Sequence, residues 1–131
     1  VVTNQQGIAK GLMTAEELQL VHDYMLDGIR RAGGKIDAVY FCPHLAGSGC
    51  ECRKPAIGMF LQAQQQFPEI SSGRSILLGD SPSDMEFAKA AEMLSVAADS
   101  NEKTIALAKF SVAGLAELPV QLLNQQAKGE E

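Results

Sequence analysis

Ser75-Ile76-Leu77-Leu78-Gly79-Asp80-Ser81-Pro82-Ser83-Asp84 sets the architecture of this chain. Its first five residues form a short apolar run, the pattern of a strand buried on both faces, and Asp80 falls at the carboxyl end of that strand. Ser81 or Ser83 is placed to cap a following helix that carries Met85, Phe87, Ala88, Ala91 and Met93. Downstream, Leu94 to Ala98 reads as a further strand, Thr104 to Lys109 as a short helix, Leu115 to Leu123 as an amphipathic helix and residues 125–131 as a solvated tail. Upstream, residues 71–74 are a turn, and Pro55 precedes a helix through Met59, Phe60, Ala63 and Phe67 whose end is marked by Pro68.

The first half repeats the pattern. Residues 1–4 read as the last part of a buried strand entering the loop Asn4 to Gly11. Thr14 and Glu17 make the capping box T-x-x-E of a helix. Leu18, Val21, Tyr24, Met25, Gly28 and Ile29 supply one apolar face of it, and Gly33-Gly34 ends it. Residues 36–41, rich in β-branched and aromatic side chains, predict the next strand. This alternation predicts an α/β fold, a Rossmann-like parallel sheet with helices on both faces, in a single domain over residues 1–131. Ligands of such folds bind beyond the carboxyl ends of the strands. Thr3-Asn4, the loop from Cys42 to Lys54 and Gly79-Asp80 all fall there and are expected to converge.

The loop Cys42 to Lys54, CPHLAGSGCECRK, gathers all three cysteines and one of the two histidines. Cys42, His44, Cys50 and Cys52 match the four sulfur and nitrogen ligands of a closed structural zinc site, with Gly47 and Gly49 permitting the chain reversal. Three thiols cannot all pair within one chain, and Cys50 and Cys52 are too close in sequence for an unstrained disulfide. The plainer alternative is three free thiols beside an unrelated histidine. A closed site leaves no position for a substrate water, so such a zinc ion shapes the loop and does not catalyse.

The remaining polar groups suggest a phosphate pocket. Asp80 and Asp84, four apart around a helix start, are hard oxygen donors suited to Mg²⁺, although a cap by Ser83 or Asp84 explains the same pattern. Thr3 and Asn4 offer a hydroxyl and an amide to an anion, Lys54 a point charge and Arg53 a planar fork. A net charge of −5 and the lack of a Lys/Arg run argue against nucleic acid or an anionic membrane surface as partner. Apolar runs fall well short of the roughly 20 residues that span a bilayer, and reduced cysteines without an export signal point to the cytoplasm.

VVTNQQGIAKG, CPHLAGSGCECRKP and LLGDSPSDM, in that order, resemble the second, third and fourth motifs of the haloacid dehalogenase superfamily of phosphohydrolases. The metal loop narrows the resemblance to the histidinol-phosphate phosphatase-like branch and, within it, to the heptose 1,7-bisphosphate 7-phosphatase family. The resemblance implies a sugar phosphate monoester as substrate, Mg²⁺ and Zn²⁺ as cofactors, and a monomer for the full-length enzyme. It implies phosphate contacts from Thr3 and Asn4, with Gln5 and Gln6 continuing the substrate-facing loop. Lys54 takes the role of stabilising the phosphoryl group, and Arg53 that of recognising the substrate. Asp80 becomes a magnesium ligand, Asp84 an acid supporting it from behind, and Cys42, His44, Cys50 and Cys52 the zinc ligands. Gln6 and Lys10 stand where many relatives have Ser and Arg.

The family's first motif, D-x-D-G-T/V, carries the aspartate nucleophile and the aspartate acid/base, and no such sequence occurs in these residues. The chain also opens without an initiator Met, midway along a strand, although a trimmed terminus has the same appearance. The expectation is therefore a C-terminal portion of a longer phosphatase, lacking the N-terminal strand and first motif and without appreciable activity by itself. Two half-sheets with unpaired inner edges are expected in consequence. Two other readings stay open: a histidinol-phosphate phosphatase, and a zinc-stabilised phosphate-binding module without turnover.

Overall fold

A computed structural model describes residues 1–98 and 101–118. The chain divides into two compact units, one of Val1–Arg53 with Gly58–Gln66, the other of Lys54–Ile57 with the chain from Phe67 onward.

In the first unit, β1 (Val2–Asn4) and β2 (Tyr40–Cys42) pair in parallel, with Val2 opposite Tyr40, Thr3 opposite Phe41 and Asn4 opposite Cys42. The crossover between them contains α1 (Ala15–Arg31). Its capping box is formed as expected: the Thr14 hydroxyl accepts from the Glu17 amide at 3.1 Å, and the Glu17 carboxylate accepts from the Thr14 amide at 2.8 Å. Asp27 receives Arg30 and Arg31 in the last turns. α2 (Gly58–Gln66) packs on β2 and buries Met59 and Phe60.

The apolar face of α1 differs from the expected one. Leu18 and His22 are buried, with Met25, Leu26 and Ile29 half-buried, whereas Val21 and Tyr24 are 60% and 84% exposed. At about 100° per residue, Leu18, His22, Met25, Leu26 and Ile29 form one stripe, and Val21 and Tyr24 lie to one side of it. Helical spacing alone fits both stripes. His22 belongs to the buried one because its ring lies against Phe41 of β2, with centroids 6.1 Å apart. The second strand is also shorter than residues 36–41, since the ladder extends only as far as its three-residue partner.

In the second unit, β3 (Ile76–Gly79), β4 (Leu94–Ala97) and β5 (Phe110–Ser111) form a parallel sheet in the order β3-β4-β5. α3 (Pro82–Ala90) packs against β3, β4 and α4 (Glu102–Leu107). Met85, Phe87, Ala88, Ala91, Val96 and Ala97 are its buried apolar residues. The strand buried throughout most of its length is β4, the middle one, whereas β3 is half-buried along its whole length. Apolar continuity in residues 75–79 therefore marks a sheet strand without fixing its place in the sheet. β5, two exposed residues, is too short to show any period.

The parallel α/β fold is the one expected, and the strands form a two-stranded and a three-stranded sheet, with no ladder joining them among the described residues. Leu115–Glu117 is a 3-10 turn where an α-helix was expected, and the rest of that segment and the tail 125–131 lie outside the described residues. No described helix is long and apolar enough to cross a membrane.

Candidate functional site

The metal loop is built onto the end of β2. Cys42, its last residue, is fully buried, so one thiol is fixed by the sheet itself. The chain then reverses through Gly47 and Gly49, whose φ values of 78° and 76° lie in the left-handed region that a side chain disfavours. This reversal returns Cys50 and Cys52 to Cys42 and His44. Cys42 Sγ lies 3.0 Å from Cys52 Sγ, 3.7 Å from Cys50 Sγ and 3.5 Å from His44 Nδ1, and His44 Nδ1 lies 3.1 Å from Cys52 Sγ.

The four donor atoms all lie within 4.8 Å of one another. Bonds of about 2.3 Å to sulfur and about 2.0 Å to nitrogen give a zinc tetrahedron with edges of about 3.5–3.8 Å. The donor set therefore fits zinc in kind and in span, with a small outward shift of Cys52. Without an ion the thiols work against each other. Burial, then the hydrogen bonds and charges of Cys42 and Cys50, push the Cys52 thiol up to about 12. The Ser48 hydroxyl beside Cys50, against some desolvation and with help from the Arg53 and Cys52 amides, lowers that thiol to about 6.

The loop after β1 is tied to the same unit. The Gln5 amide donates to the Cys42 carbonyl at 2.7 Å, Gln5 Nε2 donates to Thr3 Oγ1 at 3.0 Å, and Gln6 Oε1 accepts from the Ala46 amide at 3.4 Å. Thr3 and Asn4 sit half-buried at the strand end, with Asn4 directly across the ladder from Cys42. Immediately after Cys52, the Arg53 guanidinium has Nη1 buried with no hydrogen-bond partner, an unmet donor that suits an anion.

In the second unit, the Lys54 ammonium donates to Asp84 Oδ1 at 2.5 Å, and the two side chains are only 13% and 8% exposed. Asp84 Oδ2 accepts from the Asp80 amide at 3.2 Å, the Ser81 amide at 3.2 Å and the Ser81 hydroxyl at 2.8 Å. Burial alone raises the Asp84 carboxyl, but the Lys54 ammonium, the Ser81 hydroxyl and the Asp80 amide outweigh it and hold the group below its usual value. Asp84 is at once the third helical residue of the Ser81 capping box and the partner of Lys54, so one carboxylate both starts α3 and meets the ammonium. Asp80 is exposed at the end of β3, and its backbone, not its side chain, is what Asp84 holds.

The structure thus assembles the four candidate metal donors, joins Lys54 to Asp84, and joins Asp84 to the Asp80 backbone. It also assigns a part to Gly79, which the sequence offers only as a strand end. A Cβ there would lie 2.4 Å from Asp84 Cβ and 2.7 Å from Asp84 Oδ2, so the carboxylate reaches its position over a bare Cα. Ser48, the partner of Cys50, likewise carries no sequence signal of its own.

The HAD-hydrolase-like family model matches residues 51–116, half of the chain. The chain belongs to this family. This HAD-hydrolase-like chain is 41% identical over 98 residues to the D-glycero-beta-D-manno-heptose-1,7-bisphosphate 7-phosphatase of Rhodopseudomonas palustris, covering 70% of itself and 54% of that protein. It is 44% identical over 86 residues to the D-glycero-alpha-D-manno-heptose-1,7-bisphosphate 7-phosphatase of Campylobacter jejuni, covering 66% of itself and 48% of that protein. The chain spans about half the length of these curated relatives. Among solved structures, the crystal structure of D,D-heptose 1,7-bisphosphate phosphatase from B. bronchiseptica, complexed with magnesium and phosphate, matches with a TM-score of 0.82 and 30% identity. That match covers 95% of this chain and 73% of the other.

Proposed function

We propose that this chain serves the magnesium-dependent hydrolysis of a sugar phosphate monoester, the 7-phosphate of D-glycero-D-manno-heptose 1,7-bisphosphate, in the supply of ADP-heptose for lipopolysaccharide. The observation that carries the reading is the Lys54–Asp84 pair set behind Asp80, supported by relatives and a structural neighbour that bear this activity in their names. Phosphoryl transfer asks a protein chiefly for positioning and charge neutralisation. Thr3, Asn4, Gln5 and Gln6 bind the ester, Arg53 recognises the sugar phosphate with its unpaired Nη1, and Lys54 draws charge from the phosphoryl oxygens. Asp80 ligates Mg²⁺, whose chemistry is to polarise those oxygens, and Asp84 orients both Lys54 and the Asp80 backbone. Cys42, His44, Cys50 and Cys52 would hold Zn²⁺, which would fix the loop that ends in Arg53. Thiols kept free for a metal suit the cytoplasm.

One observation favours a second reading. No two of Asp23, Asp27, Asp37, Asp80, Asp84 and Asp99 are spaced D-x-D, so these residues hold no nucleophile and acid/base pair of the family's kind. A phosphate-binding module without turnover fits that composition. Titration of the chain with both anomers of the heptose bisphosphate and with histidinol phosphate, with and without Mg²⁺, tests the proposal. Mg²⁺-dependent binding that prefers the heptose ester supports it, and preference for histidinol phosphate or indifference to Mg²⁺ overturns it. Phosphate release in the same samples separates the phosphatase from the module.

A further inference from the structure

Gly58, the first residue of α2, lies against the backbone of the metal loop. Its amide donates to the Glu51 carbonyl at 2.9 Å, closing the six residues 52–57 that carry Arg53 and Lys54. A Cβ at position 58 would stand 2.3 Å from the Glu51 carbonyl oxygen, 2.8 Å from its carbon and 3.0 Å from the Cys52 Cα. These are backbone atoms, which cannot rotate aside. φ at Gly58 is not left-handed, so glycine is required here for space and not for conformation.

Neither side of this contact yields cheaply. The residues that follow Gly58, Met59 and Phe60, are 0% and 8% exposed, so the start of α2 is held by its own core. Glu51 stands between Cys50 and Cys52. A displacement that relieves position 58 therefore moves the second donor pair of the metal cluster relative to Cys42, which the sheet holds.

We propose that Gly58 is a positioning residue for the metal centre, its bare Cα and its hydrogen bond to Glu51 holding Cys50 and Cys52 at ligand distance from Cys42 and His44. This rests on the zinc reading of the loop. Supporting groups outside the ligands typically change metal affinity by about 10- to 100-fold. Gly28, on α1, is the control, because a Cβ there meets nothing within 4 Å.

Zinc affinity of the full chain, measured by chelator competition, is expected to fall about 10- to 100-fold in Gly58→Ala and to stay within about twofold in Gly28→Ala. Zinc held by Gly58→Ala as tightly as by the parent overturns the proposal. A parent chain that takes up no zinc overturns the zinc reading and the proposal with it, a result distinct from the first. Hydrogen exchange at the Gly58 amide of the unsubstituted chain does not depend on the variant folding. Slow exchange with zinc that accelerates on chelation supports the coupling, and identical exchange in the two states overturns it.

Discussion

The metal loop and the Asp80–Asp84 turn both concentrate ionisable groups in a few residues, and they resolve the resulting charge in opposite ways. At the turn, every demand is met from within: the Asp84 carboxylate takes an ammonium, two amides and a hydroxyl, and its pKa falls. In the loop, three thiols and an imidazole gather within 4.8 Å of one another, and burial, then the neighbouring thiols, drives Cys52 up to about 12 while Ser48 brings Cys50 down to about 6. A carboxylate with matched donors is stable as folded, whereas a cluster of sulfur and nitrogen donors gains from a cation that all of them can share.

The largest expected effect breaks the loop side of this contrast. Cys42→Ala removes the one donor that is buried in the sheet, and metal content measured on the purified protein should fall from about one zinc per chain to near zero. Retention of stoichiometric zinc would show that the remaining three donors suffice. Next comes the turn: Asp84→Ala removes the carboxylate that a largely buried Lys54 ammonium donates to, and urea unfolding should register a loss of about 3 kcal/mol.

The turn also carries a pH signature. The Asp84 pKa is lower folded than unfolded, so its stabilisation is fully present above the ordinary carboxylate value near 4. It is lost as pH falls below that value through the folded pKa. The acid limb of the stability profile should therefore flatten in Asp84→Ala, and an unchanged limb would assign acid unfolding to other carboxylates.

A smaller effect tests the contact beneath the carboxylate. Gly79→Ala forces apart a Cβ and an Asp84 side chain 2.4–2.7 Å away, for an expected loss of about 1–3 kcal/mol by urea unfolding. No loss would mean that the turn relaxes without releasing Asp84. The smallest and most discriminating test is chemical. In metal-free protein at pH 7, iodoacetamide should label Cys50, lowered to about 6, faster than Cys52, at about 12. Zinc should suppress both, and equal labelling of the two thiols would remove the asymmetry argued here.

The sequence by itself determined what depends on local chemistry. The Thr14–Glu17 box started α1, the alternation of apolar runs with capped helices specified a parallel α/β fold, and the spacing of Cys42, His44, Cys50 and Cys52 singled out four donors that the structure brings within 4.8 Å of one another. These signals are legible because each lies within a few residues along the chain. Tertiary structure decided what depends on distant neighbours. It chose the His22 stripe of α1 over the Val21–Tyr24 stripe, because Phe41 lies against His22. It put β4, not β3, in the middle of its sheet, because only pairing decides which strand is covered. It joined Lys54 to an acid thirty residues away and made bare backbone at Gly58 and Gly79 a steric requirement. Helical periods and caps repeat every few residues, but close approach between separated segments leaves no period to read.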